Sequence, residues 1–171
     1  MHFTTLMLSG LGLAASASAA QIFVDNKCNF PLYLQSKQGD SSTGVITLPA
    51  NKNTAFAATI PGANVKQSSI TVSRQPDLSS PLQAVYNVGT NPDRTYYDLS
   101  TVFGDPLKSE GFQLIAGSAS NGYSVTCPPR TSGDCPNTYS PGNPGGKNAV
   151  FNQGTNANLI FQLCSSTGKS S

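Results

Sequence analysis

The sequence predicts an all-β fold, an antiparallel β-sandwich of about eleven strands. Three observations support it. Short β-branched or aromatic runs recur at roughly ten-residue spacing. Clusters of Gly, Pro, Asn and Ser separate them, and the periodicity of amphipathic helices is almost absent. With 171 residues, one domain is the natural count. Gly 16 and Pro 12 supply the turns, and 37% hydrophobic residues are enough for one core.

The first twenty residues stand apart. Phe3 to Ala15 is a mostly apolar run followed by the small-residue stretch Ala14 to Ala20. That order is the pattern of a secretory signal, so residues 1–20 are expected to be removed. Cleavage after Ala20 is favoured, and Ala17-Ser18-Ala19 also fits the A-x-A rule. Residues 21–171 then form one domain, secreted to the outside of the cell. Nothing later is apolar for the ~18 residues of a membrane span, so none is expected.

Strands are expected at Gln21–Asp25, Leu32–Ser36, Gly44–Leu48, Thr54–Ile60, Ser69–Arg74 and Leu82–Val88. Five more follow at Thr95–Leu99, Gly111–Ala116, Tyr123–Cys127, Ala149–Asn152 and Leu159–Cys164. Ile70-Thr71-Val72-Ser73 alternates apolar and polar residues, as a half-buried strand requires. Leu159, Phe161 and Leu163 share one strand face. Turns are marked by Gln38-Gly39-Asp40, Pro49-Ala50-Asn51, Pro61-Gly62, Gln75-Pro76-Asp77 and Asn121-Gly122. Pro128 and Pro129 stop the strand that carries Cys127. From Pro128 to Lys147 the chain is rich in proline and glycine, which predicts an irregular surface loop. A functional segment and a tolerated insertion both fit it.

Composition removes much chemistry. The only His is His2, the only Met residues are Met1 and Met7, and there is no Trp. Without the signal, no His-dependent triad, His-ligated zinc or haem held by His or Met is available. No metal and no cofactor are expected. Charged residues are 11% of the chain and scattered singly, so nucleic acid has no electrostatic footprint here. The cysteines are Cys28, Cys127, Cys135 and Cys164, with no CxxC pair. In a secreted chain they predict two disulfides, for which three connectivities exist.

Several blocks carry a family resemblance. Ile22-Phe23-Val24-Asp25-Asn26-Lys27-Cys28 runs into the apolar Leu32-Tyr33, and Tyr96-Tyr97-Asp98-Leu99-Ser100-Thr101-Val102-Phe103-Gly104-Asp105-Pro106 forms the middle. Cys135-Pro136-Asn137-Thr138-Tyr139-Ser140 and Phe161-Gln162-Leu163-Cys164 follow in order. Together they resemble thaumatin-like proteins, most of all the small fungal secreted group that includes the yeast-phase-specific proteins. The resemblance spans most of residues 21–165. It implies a sandwich of about eleven strands, with Cys28 paired to Cys164 and Cys127 to Cys135. On a chain-entropy model these bridges stabilise by roughly 5 and roughly 2.6 kcal/mol.

Some members of that family bind or hydrolyse β-1,3-glucan through an acidic cleft. Asp98 matches an acid position, Phe103 stands where many members have a second Asp, and Asp105 lies two residues further on. Glu110, the only Glu, lies beyond the block. Hydrolysis usually needs two carboxyls about 5–9.5 Å apart, one of them with a raised pKa. Asp98, Asp105, Glu110 and Asp93 are the acids available for such a site. A carboxylate bonded to its own backbone is the more ordinary role for Asp98. Tyr96 and Asp98 share a strand face, and with Tyr97 they form a candidate sugar platform; core packing is the ordinary alternative for the tyrosines.

The expected function is therefore that of a non-enzymatic, monomeric secreted or wall-associated fungal protein. Its partner is wall β-glucan, or another cell-wall polysaccharide, or a host surface protein. The alternatives are a weak β-1,3-glucanase and an osmotin-like antimicrobial protein.

Overall fold

The computed structural model describes residues 20–60, 67–88, 95–116, 124–140, 149–151 and 158–165. These residues form two sheets and no helix, consistent with a β-sandwich. The five-stranded sheet comprises β1 (Gln21–Asn26), β5 (Lys52–Thr59), β9 (Phe112–Ala116), β10 (Val125–Cys127) and β12 (Leu159–Leu163), in the order β10-β9-β12-β1-β5. The other sheet has β2 (Leu32–Gln38), β3 (Ser41–Ser42), β4 (Ile46–Leu48), β6 (Ser68–Ser73), β7 (Leu82–Val88), β8 (Thr95–Ser100) and β11 (Ala149–Phe151). Its path is β11-β8-β7-β6-β2-β3, with β4 also on β2.

Alternation along each strand decides which side chains meet. Ile22 and Val24 of β1, Phe112 and Leu114 of β9, and Leu159, Phe161 and Leu163 of β12 are buried. Leu32 and Leu34, Ile70 and Val72, Leu82, Ala84 and Tyr86, and Tyr97 and Leu99 supply the core from the second sheet. Sealing two inward faces against each other removes both apolar sets from water, which is the main favourable term in folding.

All eleven expected strands are present; Leu82–Val88 matches at both ends, and the other described ends move by at most two residues. Asn152 and Tyr123 lie outside the described residues. Cys164 leaves its expected strand because it has a φ of 58°, which extended pairing does not allow. The short β3 pair, Ser41–Ser42, had no apolar signal and was not expected.

One pairing is parallel: β1 lies beside β12, with Asn26 opposite Leu163. Every other pairing between the described strands is antiparallel. The chain's first and last described strands are thus neighbours. Cys28–Cys164 joins them, with a Cα–Cα distance of 5.0 Å, and Cys127–Cys135 closes the second bridge at 5.7 Å. These are the pairs implied by the resemblance. Fully buried Asn26 organises the corner above them: its side-chain amide donates to the carbonyls of Phe30, Leu48 and Pro49, and its Oδ1 accepts from the Cys28 amide.

The expected surface loop from Pro128 needs correction over its described part. Cys135, Thr138 and Ser140 are buried. The disulfide draws Cys135 inward, Thr138 Oγ1 donates to the Cys135 carbonyl at 3.2 Å, and Tyr139 forms an isolated bridge with Ser100. Residues 141–147 of that loop lie outside the described residues. No described helix is long and apolar enough to cross a membrane.

Candidate functional site

Strand β8 sends alternate residues to opposite faces. Tyr97 and Leu99 enter the core, while Tyr96, Asp98 and Ser100 line the other face. In β7 the same parity puts Gln83, Val85 and Asn87 on that face, opposite Ser100, Asp98 and Tyr96 respectively. With Tyr139 these residues line an open cleft of 630 Å³.

Asp98 lies at its centre. The residue is 5% exposed, and its Oδ1 accepts a hydrogen bond from the Leu99 amide at 2.7 Å. Its Oδ2 has no hydrogen-bond partner. Burial raises the carboxyl pKa to about 6, against which the Leu99 amide acts only in part. Burial also pushes the Tyr97 phenol up to about 12. The local backbone bond is the ordinary role foreseen for Asp98, and it occupies one of the two carboxylate oxygens. Val85 stands directly across from Asp98 in the ladder, so the strand pairing itself offers Oδ2 no donor side chain.

Asp105 and Glu110 are placed elsewhere, on the 101–111 connection. Asp105 is ion-paired to Arg130, and Glu110 to Arg74. Arg74 also donates to the Pro106 carbonyl at 2.8 Å and stacks over the Phe30 ring at 4.2 Å. Arg130 donates its backbone amide to the Lys108 carbonyl at 2.8 Å. Neither acid lines the cleft. The gathering of Asp98 with Asp105 and Glu110 into one site is therefore not what the fold produces, because two arginines hold the latter pair. Asp93 lies outside the described residues.

Tyr96, Tyr97 and Asp98 all line the cleft, Tyr97 as a nearly fully buried ring that also packs in the core. Phe103, at the position where an acid was sought, is 65% exposed beside Val102. The cleft residues Gln83, Asn87 and Ser100 were not singled out from sequence. Their signal was available in the polar–apolar alternation of Leu82-Gln83-Ala84-Val85-Tyr86-Asn87. Among the described residues, no group of three His, Cys, Asp or Glu side chains is placed to hold a metal.

Fold and site together define a small two-sheet protein, clamped by disulfides and bearing an open cleft of mixed polar and apolar lining. Its four bonded cysteines fit an extracellular protein. The chain belongs to the fungal family described as Blastomyces yeast-phase-specific protein, which matches residues 10–165. It is also similar to a solved structure, the protein elicitor MoHrip2 from Magnaporthe oryzae. That similarity has a TM-score of 0.70 and 26% sequence identity, covering 86% of this chain and 100% of the other. No curated protein sequence matches the chain.

Proposed function

We propose that this is a non-enzymatic, secreted or wall-associated protein of thaumatin-like type that binds cell-wall β-glucan through the β7–β8 cleft. The observation that carries this reading is the unpartnered Asp98 Oδ2 in a cleft lined with an aromatic ring and neutral polar groups. A buried acceptor without a donor is costly, and a sugar hydroxyl supplies the donor. Tyr96 offers a ring for an apolar sugar face, while Gln83 and Asn87 both donate and accept. An open surface that mixes aromatic rings with hydrogen-bonding groups suits a sugar chain, whose rings have apolar faces and hydroxyl edges.

Binding without hydrolysis is favoured by the position of the acids. Glycoside cleavage needs a second carboxyl about 5–9.5 Å from the first, and Asp105 and Glu110 are engaged by arginines away from the cleft. The deciding experiment is retention of the folded protein on insoluble β-1,3-glucan. Retention should be lost in Tyr96→Ala and Asp98→Asn. Release of reducing ends from laminarin by the wild type would overturn the non-enzymatic reading.

A second reading rests on the similarity to a protein elicitor. On that reading the partner is a protein on a host cell surface. Absence of glucan retention, with saturable binding to host cells that Tyr96→Ala weakens, would establish it in place of the first.

A further inference from the structure

The fold begins before Gln21. Ala20 is 3% exposed and belongs to the hydrophobic core. Its carbonyl oxygen accepts a hydrogen bond from the Ile60 amide at 2.7 Å. That bond continues the β1–β5 ladder one step beyond the Gln21–Thr59 pair. The Gln21 amide in turn donates to Asn158 Oδ1 at 2.9 Å, tying the same strand end to the residue just before β12.

Two small-residue triplets compete for processing. Ser18-Ala19-Ala20 directs cleavage after Ala20, and Ala17-Ser18-Ala19 directs it after Ala19. They have different consequences for the fold. Cutting after Ala20 removes a buried methyl group and takes the acceptor away from the Ile60 amide. Burial at Ile60 makes that loss costly, because the freed amide sits where water does not readily replace the carbonyl. It also makes Gln21 the terminal residue, and a terminal glutamine cyclises readily to pyroglutamate. Cutting after Ala19 keeps both the packing and the ladder.

We infer that the signal is removed between Ala19 and Ala20, so that the mature protein starts at Ala20 with a free terminal amine. Hydrolysis adds water across that one peptide bond. The hydroxyl goes to the Ala19 carbonyl carbon, and a proton goes to the Ala20 nitrogen as the C–N bond breaks. The shorter product expected from sequence, starting at Gln21, lacks a core residue and the carbonyl that accepts from the Ile60 amide. This inference rests on reading the first residues as a secretory signal, and it is independent of what the cleft binds.

The test is the intact mass and N-terminal peptide of the full-length gene product recovered from the medium of a fungal host. The expected result is a start at Ala20 with an amine that reacts with a labelling reagent. A start at Gln21, with the loss of ammonia that marks pyroglutamate, overturns the inference but keeps the secretory reading. A chain that keeps Met1 overturns both. As a second measurement, Gln21–Ser171 should melt about 2–4 °C below Ala20–Ser171. Equal melting temperatures would remove the structural argument for Ala20.

Discussion

Cys28 and Cys164 are bonded immediately beyond the parallel ladder of β1 and β12, where Asn26 stands opposite Leu163. The Lys27 amide adds a hydrogen bond to the Leu163 carbonyl at 3.0 Å between ladder and bridge. Strands from opposite ends of a chain meet late and at high loop-closure cost. A covalent link at that seam lowers the entropy of the unfolded chain where the closed loop is longest.

The two disulfides should therefore differ in worth. Replacing Cys28 and Cys164 together by Ala should lower stability by roughly 5 kcal/mol, and replacing Cys127 and Cys135 together by roughly 2.6 kcal/mol. The sequence separations of 136 and 8 set that order. Urea unfolding of the two double variants checks it. A larger loss for the Cys127–Cys135 variant would mean that the buried packing of Cys135, and not loop entropy, dominates.

Gly104 should not tolerate a side chain. A Cβ built there lies 2.2 Å from the backbone carbonyl carbon and oxygen of Ser80. Backbone cannot swing aside as a flexible side chain does, so Gly104→Ala should push the 101–111 connection away from the 74–81 turn. The expected cost is about 1–3 kcal/mol, the range for overpacking a tight contact. A thermal melt reads it, and an unchanged melting temperature would show that the connection yields freely.

The strands were legible because their alternation is local: Ile70 and Val72, or Leu159, Phe161 and Leu163, announce a face without knowledge of any partner. The ion pairs were not. Arg74, Arg130, Asp105 and Glu110 are single charges far apart in sequence, and only the folded connections bring them together. For the same reason the sequence offers Asp105 and Glu110 as acids available beside Asp98, although arginines claim them. The cleft lay between these extremes. Tyr96 and Asp98 share a face by parity within one strand, but their juxtaposition with Gln83 and Asn87 needs the β7–β8 register.

Stability should depend on pH through Asp98. Its folded pKa is raised to about 6 from 3.8, so the native state holds this proton more tightly than the unfolded chain. The sign follows from linkage: the contribution is fully present below pH 3.8 and is lost as pH rises through about 6. Above that pH it levels off. Melting temperatures of the wild type relative to Asp98→Asn, measured across this window, isolate the effect from the other carboxyls. A difference that stays constant from acid to neutral pH would show that Asp98 titrates normally.

Asp98→Asn should raise stability at neutral pH while weakening the partner. Asparagine keeps an Oδ1 to accept the Leu99 amide, and it removes the buried charge. A pKa displaced by two units corresponds to an upper limit of about 3 kcal/mol, and relaxation around the cleft reduces what is recovered. A residue that costs the fold stability and leaves one oxygen unpartnered follows the pattern of sites kept for function. Thermal melts and glucan retention on the same preparation separate the roles. A higher melting temperature with weaker retention assigns Asp98 to the ligand. A lower melting temperature with retention unchanged would reduce it to a backbone anchor for Leu99 and move the search for the partner's contacts to Tyr96 and Tyr139.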